Sequence, residues 1–115
     1  MRIVTLATCH DRREKTLQAL EDLHSQELPE DIELVHVLVD DGSNDGTSHG
    51  VSEKFPDVEI IHGDGNLYWA GGMRFWWEQS VKHKNFDYLF VYNDDVEFSA
   101  DALRRLIDIG RAFEI

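Results

Sequence analysis

Two pairs of adjacent aspartates, Asp40–Asp41 and Asp94–Asp95, are the residues of this sequence best suited to chemistry. Each pair lies at the end of a run rich in apolar and β-branched residues, "IELVHVLVD" in the first case and "FDYLFVYN" in the second. Adjacent carboxylates repel each other, and the pKa of one of them rises unless a cation or hydrogen-bond donors lie beside them. Hard divalent cations such as Mg²⁺ and Mn²⁺ take oxygen ligands and leave coordination positions open for phosphates. The pairs therefore indicate a metal site that could hold an anionic diphosphate.

A structural role is the alternative for these carboxylates. A single aspartate after a strand is usually a turn or capping residue, because its side chain bonds to nearby backbone groups. The repetition of the pair at two strand ends weakens that alternative without removing it. The loop "DGSNDG" (41–46) also resembles the start of a calcium-binding loop, but the twelfth position, where such loops carry glutamate, is Ser52, and a strand rather than a helix precedes it.

Other catalytic and metal-binding motifs are missing from the sequence. It contains no Gly-Lys-Ser/Thr of a P-loop, no GxGxxG after the first strand and no nucleophile elbow. The six histidines show no paired spacing typical of metal ligands, and His36, inside a predicted strand, is interpreted as packed or hydrogen bonded. Cys9, at a strand end, is interpreted as a small buried residue rather than a nucleophile.

Predicted strands alternate with predicted helices along the chain. Apolar, β-rich runs predict strands at 2–8, 32–40, 58–61 and 86–93, and helical spacing predicts helices within 11–26, 47–54 and 73–83 and after Ser99. An irregular loop, "HGDGNLYWAGG" (62–72), separates the third strand from its helix, and Trp69 within it could stack on a ligand. This alternation predicts an α/β fold with a mostly parallel sheet flanked by helices.

Side chains also predict helix starts and inner faces. Asp11, with Glu14 three residues later, resembles a capping box for the first helix, and Ser99 is predicted to cap the last one. The residues predicted to face the core at helical spacing are Leu17, Leu20, Leu23, Val51, Phe55, Met73, Trp76, Trp77, Ser80, Val81, Leu103, Leu106, Ile107 and Phe113.

Polar residues follow the predicted strands, and ligands of open parallel sheets bind outside the carboxyl ends of the strands. These residues are Thr8, Cys9 and His10 after the first strand, Asp40 to Ser43 after the second, the glycine-rich loop after the third, and Asn93 to Asp95 after the fourth. We therefore expect one site at this edge of the sheet, with both carboxylate pairs in it.

Composition restricts the partners. A chain of 115 residues that is 42% hydrophobic and 30% charged predicts one globular domain. A net charge of −12 disfavours nucleic acid and anionic membrane surfaces. A single cysteine fits a reducing compartment, and the apolar run at the N-terminus is too short for a signal peptide or a membrane span, which predicts a cytoplasmic protein. The ending "RAFEI" has no polar tail, so we expect the chain to be part of a longer polypeptide.

Three segments, "TLATCHDRREKTLQAL", "VLVDDGSNDGT" and "YLFVYNDDVEF", resemble in this order the N-terminal half of inverting family 2 glycosyltransferases with the GT-A fold. "NDD" corresponds to the DXD-type motif of that family, and "GDGNLYWAGGMRFWWEQS" is similar to its bacterial rhamnosyltransferase-like subgroup. The resemblance covers nearly the whole chain. It implies that residues 1–115 are a truncated, Rossmann-like GT-A nucleotide-binding domain, the donor-binding part of a family 2 domain.

The resemblance implies an activity for the intact enzyme. A sugar would move from a UDP- or dTDP-sugar, with inversion, to a hydroxyl of a glycan or lipid-linked acceptor in cell-surface polysaccharide assembly. Mg²⁺ or Mn²⁺ would stabilise the departing diphosphate. The protein would be cytoplasmic, peripheral to the inner face of the membrane, without an integral membrane segment. Apolar surface exposed by truncation would permit a homo-oligomer.

Residue roles are also implied by the resemblance. Thr8 would border the base, Asp41 would hydrogen bond its edge, and Asp40 would brace the loop. Asp94 would approach the ribose or the metal, and Asp95 would ligate the metal. The remaining residues implied to line the donor pocket are Asn66, Gly71, Gly72 and Arg74, the last offsetting donor charge.

The chain departs from the family in two ways that matter. Asp11 stands where the family often has asparagine before Arg12. The family's general base lies in the second half of its domain, so no residue here is assigned as catalytic, and the fragment alone is expected to be inactive.

Two other classes of protein have similar features. A non-catalytic nucleotide- or metal-binding module remains the alternative. A receiver-type signalling domain is disfavoured because its acidic residues would follow strands one and three, with a lysine at a strand end.

Overall fold

The computed structural model of the protein describes residues 1–80 and 85–112. Strands and helices alternate along them as the sequence predicts. The elements are β1 (Arg2–Cys9), α1 (Arg13–His24), β2 (Glu33–Asp40), α2 (Thr47–Lys54), β3 (Glu59–His62), α3 (Tyr68–Ser80), β4 (Tyr88–Val91) and α4 (Ala102–Ala112). No helix in these two ranges is both long and apolar enough to cross a membrane.

The strands form one parallel sheet in the order β3-β2-β1-β4. From β1 the chain steps to β2 and on to β3 at one edge, and then crosses to the other side of β1 to add β4. The direction of winding therefore reverses between β1 and β4. In open α/β sheets the crevice outside the carboxyl ends of two such strands is the usual ligand site. The predicted mostly parallel, Rossmann-like sheet is confirmed.

Each face of the sheet carries its own apolar core. Successive side chains of a strand point to opposite faces. Val4 and Leu6 of β1 therefore pack against Trp76 of α3 on one face, whereas Ala7 and Cys9 of the same strand pack on the other. That second core is completed by residues from α1, α2 and α4, including Leu20, Leu23, Val51 and Leu103. The central strands are covered on both sides, as their nearly continuous apolar sequences require.

The predicted capping box of α1 is wrong. No side chain caps this helix from the adjoining residue Arg12. The backbone N–H of Arg13 instead donates to the carboxylate of Asp45 at 3.0 Å, and the carboxylate of Asp11 accepts the N–H of Asn44 at 2.6 Å. Asp11 adopts a φ of 49°, which turns it away from the helix towards this loop. The loops after β1 and β2 are thus hydrogen bonded to each other at the edge predicted to bind ligand.

The segment predicted as an irregular loop over 62–72 also differs. Helix α3 begins at Tyr68, inside that segment, and includes both Gly71 and Gly72. The N–H groups of Leu67 and Tyr68 donate to the carboxylate of Asp41, each at 3.0 Å. The N–H donors at the start of α3 are therefore satisfied by a carboxylate that is distant in the sequence, and not by a neighbouring side chain.

Two predicted core residues are exposed. Trp77 is 50% exposed and Leu106 is 52% exposed, because the buried stripes of α3 and α4 are centred on Trp76 and Leu103. Ser99 does not adjoin α4, which begins at Ala102, and its hydroxyl donates to Asp101 at 3.0 Å. The side chains of Trp69 and Ser80, and the predicted positions Val81, His83 and Phe113, lie outside the described residues.

Candidate functional site

A pocket of about 500 Å³ opens at the carboxyl ends of β1 and β4, where the winding of the sheet reverses. Its volume falls within the range of about 300 to 1,000 Å³ typical of small-molecule sites. It is lined by Thr8, Cys9, His10, Arg12, Asp41, Gly65, Tyr68, Asn93, Asp94 and Asp95. Residues from the ends of three strands and from the glycine-rich loop therefore meet there.

Asp94 and Asp95 lie on one side of this pocket and face a cation of the chain itself. Asp94 is buried, and this burial raises the pKa of its carboxyl group. Arg12 opposes that rise, and the charge of Asp95 adds to it. The guanidinium of Arg12 lies 3.3 Å from the carboxylate of Asp95, and both side chains are about half exposed. One arginine thus partly compensates two adjacent carboxylates.

Asp41 connects the pocket to the glycine-rich loop. Its side chain is only 2% exposed. One carboxylate oxygen accepts the N–H of Gly65 at 2.8 Å, and the other accepts the N–H groups of Leu67 and Tyr68 at 3.0 Å each. A carboxylate oxygen has two lone pairs. The oxygen bonded to Gly65 therefore keeps one acceptor position, whereas the other oxygen is saturated.

His10 lies at the margin of the pocket, above the backbone of Asp41. Its Nδ1–H donates to the carbonyl oxygen of Asp41 at 2.6 Å, and this bond raises the pKa of the imidazole. Its Nε2 lies 3.4 Å from a carboxylate oxygen of Asp11. His10 and Arg12 therefore place partial or full positive charge beside a strongly acidic site.

Asp40 turns away from the pocket into the loop that follows it. Its carboxylate accepts the N–H of Ser43 at 3.0 Å and the hydroxyl of Ser48. Asp40 and Asp41 therefore have different environments, because each carboxylate accepts hydrogen bonds from a different loop. These hydrogen bonds offset the repulsion between the Asp40 and Asp41 carboxylates that the sequence predicts.

Four other residues expected at the donor pocket do not line it. In the part of the chain that the structure describes, Asn66, Gly71, Gly72 and Arg74 are not among the lining residues. Gly72 instead packs against β1, where a β-carbon would lie 2.0 Å from the hydroxyl oxygen of Thr8. Only glycine allows α3 to approach the strand this closely. Contacts of these four residues with a ligand stay a prediction.

The family of the chain follows from a match over most of its length. The sequence profile described as "Glycosyl transferase family 2" matches residues 6–109, which include both aspartate pairs and the whole pocket. The chain belongs to this family. No curated protein sequence matches it.

Solved structures of other proteins share the architecture of this chain. The chain is similar to a mannosyltransferase, PcManGT, from Pyrobaculum calidifontis in complex with GDP-Man and Mn²⁺, with a TM-score of 0.74, 20% identity, and coverage of 92% of this chain and 31% of that one. It is also similar to S. aureus TarS (1–349), with a TM-score of 0.76, 18% identity, and coverage of 97% and 33%. At these identities the likeness concerns the fold, which is that of GT-A glycosyltransferases. The chain spans about a third of the length of these structures.

Sequence reasoning missed part of this family 2 pocket. The sequence predicts an irregular loop that includes Gly65 and Tyr68 and indicates no role for either, and it does not indicate the pairing of Arg12 with Asp95. The available signal was the loop's position after β3, whose carboxyl end lies at the same edge of the sheet.

The calcium interpretation of the loop after β2 is not supported, because a strand precedes it and Asp45 is bonded to Arg13 and Thr47.

Cys9 lines the pocket but is buried. It is 1% exposed, and burial, followed by the charges of Asp40 and Asp94, raises the pKa of its thiol. Because the thiolate is the reactive form, we expect a thiol-specific reagent to label the native family 2 chain at least about tenfold more slowly than the chain in denaturant. The chain has a single cysteine, so the labelled fraction reports this site alone. Equal rates in both conditions would contradict the buried position.

Proposed function

We propose that this chain is the donor-binding part, residues 1–115, of an inverting glycosyltransferase that uses a nucleotide-diphosphate sugar. The observation that carries the proposal is the meeting of Asp94, Asp95 and the loop anchored by Asp41 in one pocket, at the reversal of the sheet. The pocket combines a carboxylate pair for a cation with backbone and side-chain groups for a nucleotide. This is the combination that an acidic protein needs to bind an anionic diphosphate.

A divalent cation, Mg²⁺ or Mn²⁺, would be held by Asp95 and Asp94. Their donor set fits, because two adjacent carboxylates offer hard oxygen ligands at the pocket, and the Arg12 guanidinium compensates their charge only in part. When bound, the ion would stabilise the charge on the departing diphosphate. The mannosyltransferase structure with GDP-Man and Mn²⁺ supports this pairing of metal and donor.

The nucleoside would lie across the other side of the pocket. Thr8 and the free acceptor position of Asp41 are available to a pyrimidine edge, and Tyr68, which is 75% exposed, offers an aromatic face for stacking. Arg12 and His10 would face the phosphates, and Arg74, Asn66, Gly71 and Gly72 would come into contact with the sugar-bearing end. A TarS structure in complex with UDP supports a uridine nucleotide.

The acceptor, the cellular role and the general base concern the intact enzyme of which this chain would be a part. We propose a rhamnosyltransferase-like specificity with a UDP- or dTDP-sugar and a glycan or lipid-linked acceptor in cell-surface polysaccharide synthesis. The enzyme would work in the cytoplasm, peripheral to the inner face of the membrane, and would be able to form homo-oligomers. The general base that activates the acceptor would come from beyond residue 115. The chain alone would bind donor nucleotide without transferring sugar.

Calorimetric titration with UDP and then dTDP tests the proposal. We expect binding in Mn²⁺ and at least about tenfold weaker binding with a chelator, a difference of about 1.4 kcal/mol. Asp95→Asn should weaken the Mn²⁺-dependent binding by a similar factor. Its free energy of unfolding should stay within about 1 kcal/mol of wild type, because the half-exposed pair with Arg12 stabilises little.

Asp101→Asn is the matched control. It removes the same charge and likewise breaks an ion pair with an arginine, Arg105 at 2.8 Å, but outside the pocket. Its nucleotide affinity should equal that of wild type. Equal affinity with and without metal would contradict the cation site, and no binding in either condition would contradict donor binding by this chain. Binding by the longer polypeptide without sugar transfer would favour a non-catalytic nucleotide-binding module.

A further inference from the structure

Three side chains far apart in the sequence meet beneath α1, away from the pocket. Each of His24, His36 and Asp57 offers one ligand atom, and these atoms lie within 4.8 Å of one another. The Nε2 of His24 lies 2.9 and 3.0 Å from the two carboxylate oxygens of Asp57. The rings of the two histidines have centroids 4.4 Å apart. No other such group occurs within residues 1–80 and 85–112.

Both imidazoles are oriented through Nδ1. The Nδ1 of His24 lies 2.7 Å from the carbonyl oxygen of Leu20, an acceptor, so this nitrogen carries a proton. The Nδ1 of His36 lies 2.7 Å from the hydroxyl of Thr5, which pairs with it across the sheet. Metal-binding histidines are typically fixed in this way, with the nitrogen that does not bind the metal donating to a carboxylate, a backbone carbonyl or water. His24 has such a carbonyl partner, and the hydroxyl of Thr5 takes the same position for His36.

We propose that His24, His36 and Asp57 bind a divalent transition-metal ion of the Zn²⁺ type. Two imidazoles and one carboxylate suit Zn²⁺, whereas Mg²⁺ and Ca²⁺ prefer oxygen ligands alone. Three protein ligands leave a fourth, tetrahedral position for water. The site is open to solvent on that side, because the side chains of His24 and Asp57 are 25% and 57% exposed.

The position of this site separates it from the nucleotide pocket. His24 ends α1, which runs back from the pocket edge of the sheet, and Asp57 lies in the turn between α2 and β3. None of the three ligands lines the pocket. A bound ion would connect the end of α1, the middle of β2 and the turn before β3, and so would stabilise the folded chain.

The metal-free alternative is an ion pair. A doubly protonated His24 would donate to both Leu20 and Asp57, which accounts for two of the three side chains. His36, buried beside them and hydrogen bonded to Thr5, takes no part in that ion pair. The metal site and the ion pair differ in one observable. Only the metal site makes the stability of the folded chain depend on added Zn²⁺.

Titration of the full chain with Zn²⁺ alone, by calorimetry and thermal unfolding, decides between them. We expect one strong site per chain, a rise in Tm with Zn²⁺, and no comparable rise with Mg²⁺. Asp57→Asn and His24→Ala should each weaken this site at least about tenfold, because loss of even an orienting partner costs that much at metal sites. Asp57→Asn changes an exposed side chain, so its fold can be verified independently by circular dichroism.

Two control variants separate this site from other Zn²⁺ binding. His49→Ala alters an exposed histidine that likewise lies beside a carboxylate, Glu53 at 3.6 Å, but without a third ligand. Asp95→Asn alters the proposed donor-site cation ligand. Both variants should keep the Zn²⁺ affinity and the rise in Tm. No strong Zn²⁺ binding by wild type, or binding that persists in Asp57→Asn and His24→Ala, would overturn the proposal, whatever the outcome with nucleotides.

Discussion

Replacing Asp41 with alanine should lower the free energy of unfolding by about 3 kcal/mol. The buried carboxylate accepts three backbone N–H bonds, from Gly65, Leu67 and Tyr68. Each donor left without a partner costs about 1 to 3 kcal/mol. The lower value applies here because the loop is near the surface, where water can reach part of it. Urea unfolding followed by circular dichroism measures the change.

The same substitution should also abolish nucleotide binding at concentrations where wild type is saturated, because Gly65 and Tyr68 line the pocket. Asp41→Asn retains the size of the side chain but turns an amide group towards an N–H donor, so it should lie between alanine and wild type. Asp64→Ala is the matched control, since among the described residues the exposed carboxylate of Asp64 accepts one hydrogen bond, from the N–H of Asn66. It should change stability by less than about 0.5 kcal/mol. A stable Asp41→Ala chain would show that other groups position this loop.

Gly71→Ala and Gly72→Ala should have opposite effects on stability, although the residues are neighbours in α3. A β-carbon at Gly72 would lie 2.0 Å from the Oγ1 of Thr8 and 2.9 Å from its β-carbon. Rotation of the threonine cannot remove the second clash, so the helix must shift, at a cost of about 1 to 3 kcal/mol. At Gly71 the nearest atom, in Leu67, is 3.4 Å away. There alanine should increase stability by up to about 1 kcal/mol, its helix-propensity gain over glycine.

A double-mutant cycle with Thr8 identifies the cause. Thr8→Ala removes the hydroxyl and methyl groups that lie 2.0 and 2.8 Å from the added carbon. Combined with Gly72→Ala, it should recover part of the lost stability, because the stability effects of substitutions at residues in contact are not additive. It should recover nothing when combined with Gly71→Ala. Full additivity at position 72 would mean that the loss arises elsewhere in the helix.

The sequence predicts the alternation of elements well and their local contacts less well. Helix α2 begins at Thr47 and ends at Lys54, as its spacing indicates. The starts of α1 and α3 were missed because their donors are satisfied by Asp45 and Asp41, which lie 32 and 26 to 27 residues away. Such bonds depend on which strand ends are adjacent, and no local pattern records this.

In the candidate site, too, the positions of the strand ends can be predicted from the sequence, whereas contacts between distant segments cannot. Parallel strands place their carboxyl ends at one edge, so the convergence of Thr8, Asp41 and the Asp94–Asp95 pair could be predicted. The pairing of Asp95 with Arg12 could not be, because it depends on β4 lying beside β1. Likewise, His24, His36 and Asp57 have no metal-ligand spacing, and they meet because the end of α1 and the turn before β3 both lie beside β2.

The crossing of the chain from β3 to β4 has a consequence for how the protein folds. Residues paired between β1 and β2 lie 31 positions apart in the sequence, as Ile3 and Leu34 do, whereas β4 pairs with residues that lie 85 positions earlier, as Tyr88 does with Ile3. Closing so long a chain segment costs more entropy and slows folding. The carboxylates of Asp94 and Asp95 reach the pocket only through this pairing. Nucleotide affinity should therefore appear late during refolding, after most of the helical signal has returned.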